Sequence, residues 1–133
     1  MKKKVVKKNI SKKSKVGPWL YWTPRVLSIL FIIFIALFSL DIFGNGYSFW
    51  KTVLGLFMHN IITLILIGFL IFSWKREWIA SIGFLIFGVW YILTILNNII
   101  EYQFEWYYLS WFITIAGPAF VIAILWWLNW KRK

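Results

Sequence analysis

The sequence predicts an all-α protein, an integral membrane bundle of four transmembrane helices. Two observations carry that prediction. Four long apolar runs fill almost everything after residue 25 of the 133-residue chain, and nearly all the positive charge lies on one side of them. A helix rises about 1.5 Å per residue and the hydrocarbon core is about 30 Å thick, so a crossing needs about 20 mostly apolar residues. At 62% hydrophobic residues and a mean hydropathy of +0.76, so short a chain has too little polar surface to cover itself in water. Runs such as IIFIAL and ITLILIGFLIF lack the alternation a β-barrel strand requires.

The spans are expected at about 26–43, 53–74, 78–96 and 109–130, together forming a transmembrane domain over 19–133. The first carries Asp41 near its end. The second has no charge but includes His59, Asn60 and Thr63. The third ends at Asn97 and Asn98, and the fourth stops at Lys131, Arg132 and Lys133. A basic arm, 1–18, precedes them. The arm and first run do not read as a cleaved signal peptide: the apolar stretch is too long and no A-x-A site follows.

Charge sets the expected orientation. The arm and Arg25, the turn with Lys75 and Arg76, and the tail hold fourteen of the fifteen lysines and arginines, while the other side holds Lys51 alone. Lysine and arginine stay cytoplasmic, so both termini are expected on the cytoplasmic side of a cell membrane. Aromatic residues mark the same two planes. Trp19, Tyr21, Trp22, Trp74, Trp78, Trp126, Trp127 and Trp130 gather at the inner ends. Tyr47, Phe49, Trp50, Tyr102, Trp106, Tyr107, Tyr108 and Trp111 gather at the outer ends. Rings with one polar tip favour the headgroup level, so this content reads mostly as anchoring.

The arm, MKKKVVKKNISKKSK, is expected to lie on anionic lipid, each lysine near the surface contributing about 1 kcal/mol. Its net charge would also suit nucleic acid, but it lacks interleaved aromatics and is tethered to a bilayer, so no nucleic-acid partner is expected. The chain has no cysteine, which removes thiol redox chemistry, disulfides and thiolate metal sites.

Ionisable groups inside a membrane are costly, so each is a candidate functional residue. Asp41 and His59 are the two that fall within the runs. His59 is expected about 9 Å below the outer interface, a depth close to that of Asp41, so contact between them is expected on adjacent antiparallel helices. Gly55, His59 and Thr63 share one face at i, i+4 spacing, with Asn60 beside them. Asp41, His59, Asn60 and Thr63 thus form the candidate intramembrane polar site. Its ordinary reading is hydrogen bonding between helices, and its sharper one a proton, ion or ligand path. One histidine supports neither haem nor zinc, and Asp and His without a nucleophile name no hydrolase. No cofactor and no enzyme activity is expected. In the fourth run, Pro118 is expected to kink the helix, with Thr114 bonding the freed carbonyl.

The stretch YWTPRVLSILFIIFIALFSLDIFGNGYSFW, then LGLFMHNIITLIL, WIASIGFLIFGVWYI and the late Gly117–Pro118 pair, resembles a family of small, uncharacterised four-span integral membrane proteins of bacteria and archaea. The resemblance covers roughly residues 21–130. Its most specific parts are Pro24–Arg25, Asp41 with Phe43–Gly44, and Met58–His59. A proline usually follows that histidine by three residues in the family, where this chain has Ile62, so the resemblance does not extend to a broken second helix. It implies fold and location and brings no activity. Two functional readings follow. One is a structural or accessory membrane protein, packed against itself or a larger complex. The other is a small oligomeric transporter or channel using the Asp/His pair.

Overall fold

A computed structural model describes residues 16–133; the lysines expected to contact lipid, Lys2 to Lys15, lie outside the described residues. The chain forms α1 (Pro18–Leu37), a 3₁₀ segment (Phe38–Asn45), α2 (Phe49–Ser73) and α3 (Glu77–Tyr102). It closes with α4 (Trp106–Trp111), a π-turn (Phe112–Ala116) and α5 (Gly117–Arg132). These make four continuous helical stretches, Pro18–Asn45, Phe49–Ser73, Glu77–Tyr102 and Trp106–Arg132, each long and apolar enough to cross a membrane. The fold is the all-α four-helix bundle the sequence predicts. Each stretch begins before its expected apolar run, and all but the second, which stops at Ser73, also end after it, because flanking aromatic and polar residues continue the helix toward the bundle ends.

Links of three residues join the stretches, too short for anything but antiparallel neighbours. α5 packs most closely on α3 and also on α1, while α2 packs on α1 and α3. Residues 18 and 133 therefore lie at one end, the basal end, and the links 46–48 and 103–105 at the other, the distal end. Gly46 sits at φ 64°, a left-handed turn that glycine adopts without a Cβ clash.

Only 17% to 33% of the most apolar window of each stretch is buried inside the bundle. The rest presents Ile33, Leu54, Ile71, Ile86, Leu93 and Ile124 outward, an apolar surface suited to lipid. The core is Phe31, Leu66, Phe84, Phe87, Ile122 and their neighbours. Small residues bring α3 and α5 together: Ala80, Ala119 and Ala123 are buried, and the Ser81 hydroxyl donates to the Ala123 carbonyl at 2.9 Å. Close backbone approach through small residues is how helices associate in lipid. Gly83 and Gly88 seat phenylalanines rather than a second helix backbone. A Cβ on Gly83 would fall 2.6 Å from the Phe69 ring, and one on Gly88 3.0 Å from Phe120.

Candidate functional site

At the distal end the site begins with the 3₁₀ segment. The Ser39 hydroxyl donates to the Ala36 carbonyl three residues back at 2.7 Å, the spacing of the tighter helix. Three residues per turn stack Ser39 over Ile42, both buried, and put Phe38 and Asp41 on one shared row. Ile42 then meets α2 at Gly55, where a Cβ would lie 3.3 Å from its side chain. Gly55 thus permits the approach expected of its stripe.

That approach leaves a cavity of about 530 Å³ in the distal half, walled by all four stretches. Phe38, Ser39 and Asp41 line it from the first, His59 and Ile62 from α2, Phe87, Trp90 and Tyr91 from α3, and Trp111 and Ile115 from the fourth. Phe87 and Tyr91 stack with centroids 6.2 Å apart. Asp41 and His59 therefore face the same cavity, although no hydrogen bond or ion pair joins them among the described residues. Asn60 turns to its own helix and donates to the Leu56 carbonyl at 2.9 Å. Thr63 is buried, and its hydroxyl has no partner among the described residues. Of the four predicted residues, the cavity gathers two.

The far wall contains the π-turn. Pro118 lacks the N–H that would reach the Thr114 carbonyl. Upstream of it, the Gly117 N–H donates to the Phe112 carbonyl five residues back, so the wide turn absorbs the irregularity. Among the described residues Thr114 makes no side-chain hydrogen bond, so the expected hydroxyl compensation is not what the backbone uses. Wide turns of this kind often sit beside functional cavities, and Trp111 and Ile115 flank and belong to this one.

A second polar centre lies at the basal end, and the sequence reading did not single it out. Arg25 Nη2 donates to Glu77 Oε1 at 2.8 Å, with side chains 1% and 3% exposed. Lys133 Nζ reaches the same oxygen at 2.8 Å. Arg25 Nη1 also donates to the Tyr21 carbonyl. Its guanidinium lies 3.6 Å from the Tyr21 ring centroid and 4.8 Å from that of Trp126, both within cation–π range. Trp126 is fully buried and donates its indole N–H to the Ser28 hydroxyl at 2.9 Å. Ser28 in turn donates to the Pro24 carbonyl. This ring is a structural member of the basal centre rather than a headgroup anchor. Tyr108, expected in the outer belt, is likewise buried, whereas Trp19, Trp50 and Trp106 are well exposed as anchors should be.

Among the described residues no group of three or more His, Cys, Asp or Glu side chains is placed to hold a metal ion. A domain family described as a domain of unknown function, DUF7670, matches residues 11–133. The chain belongs to this family. Comparison with curated proteins and with solved structures gives no match. Membership in DUF7670 agrees with the resemblance read from the sequence in that the domain is of unknown function, and the structure supplies the four apolar helices.

Proposed function

We propose that the chain is a structural or accessory multi-pass protein of a bacterial or archaeal cell membrane, without enzyme activity of its own. One observation supports this above all. The two polar centres sit at opposite ends of the bundle, and the apolar layer of Phe31, Leu66, Phe84, Phe87 and Ile122 separates them. A single bundle so built offers ions no continuous polar path. Meanwhile its large lipid-facing apolar surface is available for helix packing with another membrane protein. Purification from native membranes in a mild detergent tests the reading. A stoichiometric partner is expected; a homo-oligomer that carries cation-coupled flux in proteoliposomes would replace it with the transporter reading, which the Asp41–His59 cavity favours.

In this reading both termini are cytoplasmic and the arm rests on anionic lipid, as the fourteen-to-one division of lysine and arginine supports. Cysteine variants suit a chain with no native thiol. In intact cells an impermeant reagent should label Glu101→Cys and spare Lys75→Cys. The reverse pattern would invert the orientation. Replacing the eight arm lysines with glutamine should weaken binding to anionic vesicles, and replacing them with arginine should preserve it.

A further inference from the structure

The distal cavity combines features that neither helix packing nor an accessory role requires. Its volume of about 530 Å³ falls within the range of small-molecule sites, about 300–1,000 Å³. Its walls are aromatic on three sides, with Phe38 from the first stretch, Trp90 and Tyr91 from α3, and Trp111 from the fourth. Its lining includes one carboxylate, Asp41, one imidazole, His59, and the phenol of Tyr91. Among the described residues the Asp41 carboxylate makes no ion pair and no side-chain hydrogen bond, while the Asn45 amide donates to the Asp41 backbone carbonyl at 3.2 Å.

Aromatic faces carry negative potential and attract cations, most strongly when water is displaced. A carboxylate at the rim of such a cage fixes the sign of the guest. The surrounding charge agrees: Asp41, Glu101 and Glu105 stand at the distal end against Lys51 alone, whereas the basal end carries Arg25, Lys75, Arg76 and Lys131 to Lys133 against Glu77. A strongly hydrated metal ion gains little from rings. An organic cation with apolar substituents gains from both the cage and the carboxylate.

We propose that this cavity binds a lipophilic organic cation, an ammonium or phosphonium ion carrying apolar groups, between the aromatic walls and Asp41. The site opens in the distal half of the bundle, where such an ion arrives from the membrane interface. Its source is either a free amphiphile or the ammonium headgroup of a lipid. The site is independent of the accessory reading, because a ligand can occupy the cavity whether or not the chain has a partner.

The test is calorimetric titration of the purified full chain in an uncharged, lipid-free detergent with tetraphenylphosphonium and its anionic isostere tetraphenylborate. Saturable binding of the phosphonium is expected, with at least tenfold discrimination against the borate. Asp41→Asn should weaken the phosphonium at least tenfold, and Asp41→Glu should retain most of the affinity. Trp111→Leu, at a half-exposed position, provides a second variant that keeps the site apolar and should also weaken binding. Equal binding of the two isosteres, or phosphonium affinity unchanged in both Asp41→Asn and Trp111→Leu, overturns the proposal. Competition by phosphatidylcholine or phosphatidylethanolamine nanodiscs then assigns the source. Displacement of the probe supports a lipid headgroup, and retention of it supports a free cation.

Discussion

Arg25 and Glu77 stand 52 residues apart in sequence and 2.8 Å apart in space, buried at the point where the basal ends of all four stretches converge. Arg25 belongs to α1, Glu77 opens α3, Lys133 follows α5, and the ring of Trp74 at the end of α2 lies 5.7 Å from the guanidinium. A single buried pair therefore fixes the relative height of helices that are not sequence neighbours. Arginine suits this role because its planar fork serves the Glu77 carboxylate and the Tyr21 carbonyl together while its faces rest on rings.

Removing Glu77 should cost about 3–5 kcal/mol, because the Arg25 guanidinium is then left buried without a counter-charge, whereas removing Arg25 should cost less, because Lys133 still reaches Glu77 Oε1 at 2.8 Å. Thermal unfolding in detergent is expected to show a large loss for Glu77→Leu alone and a smaller one for Arg25→Met alone. The double variant should recover most of it, since an apolar pair of similar volume removes both desolvation penalties. Losses that simply add would mean the pair contributes no mutual stabilisation.

Glycine placement gives a more local expectation. Gly83→Ala puts a methyl into the Phe69 ring at 2.6 Å, and overpacking of this kind costs about 1–3 kcal/mol. In a Phe69→Leu background the same substitution should cost clearly less. Equal losses in the two backgrounds would show that the ring is not what holds position 83 to glycine.

The spans were legible in the sequence because lipid imposes one requirement on every turn of a crossing helix, and runs such as ITLILIGFLIF meet it without any tertiary knowledge. The similar depth of Asp41 and His59 was legible because short links fix antiparallel neighbours, but the contact expected between them was not, since both line one cavity with no hydrogen bond or ion pair joining them among the described residues. Arg25 and Glu77 were not legible. Each lies at the edge of an apolar run, where a charge ordinarily reaches water, and only the convergence of four helix ends buries them. Trp126 was misplaced by the same logic, since a tryptophan near a helix end is ordinarily an anchor. The signal that would have found this centre was Glu77 itself, a carboxylate on the side otherwise reserved for lysine and arginine.

A prediction about the backbone follows from the α3–α4 link. Gln103 takes φ 73° and ψ 165°, a region that costs a residue with a Cβ about 1–3 kcal/mol and that glycine occupies readily. Gln103→Gly should therefore raise the unfolding midpoint, with the relief of strain exceeding the added chain entropy of roughly 0.5–1 kcal/mol. Gln103→Ala should leave the midpoint near that of the parent, since it keeps the Cβ. A Gly variant less stable than the Ala variant would place the link in an ordinary conformation.

The last prediction concerns Asp41 and His59, which line one cavity without a bond between them. A stability cycle with Asp41→Asn, His59→Gln and the double variant should give a coupling below the average of about 0.6 kcal/mol measured for polar pairs in membranes. The physical reason is that each group faces the open cavity, so removing one does not strand the other in hydrocarbon. Repeating the cycle with saturating tetraphenylphosphonium separates packing from binding. The stabilisation conferred by a ligand grows with its affinity for the folded state. Loss of Asp41 should therefore remove most of that increment, and loss of His59 should remove less. A coupling of several kcal/mol in the ligand-free protein would instead mean that the two side chains bond directly and close the cavity.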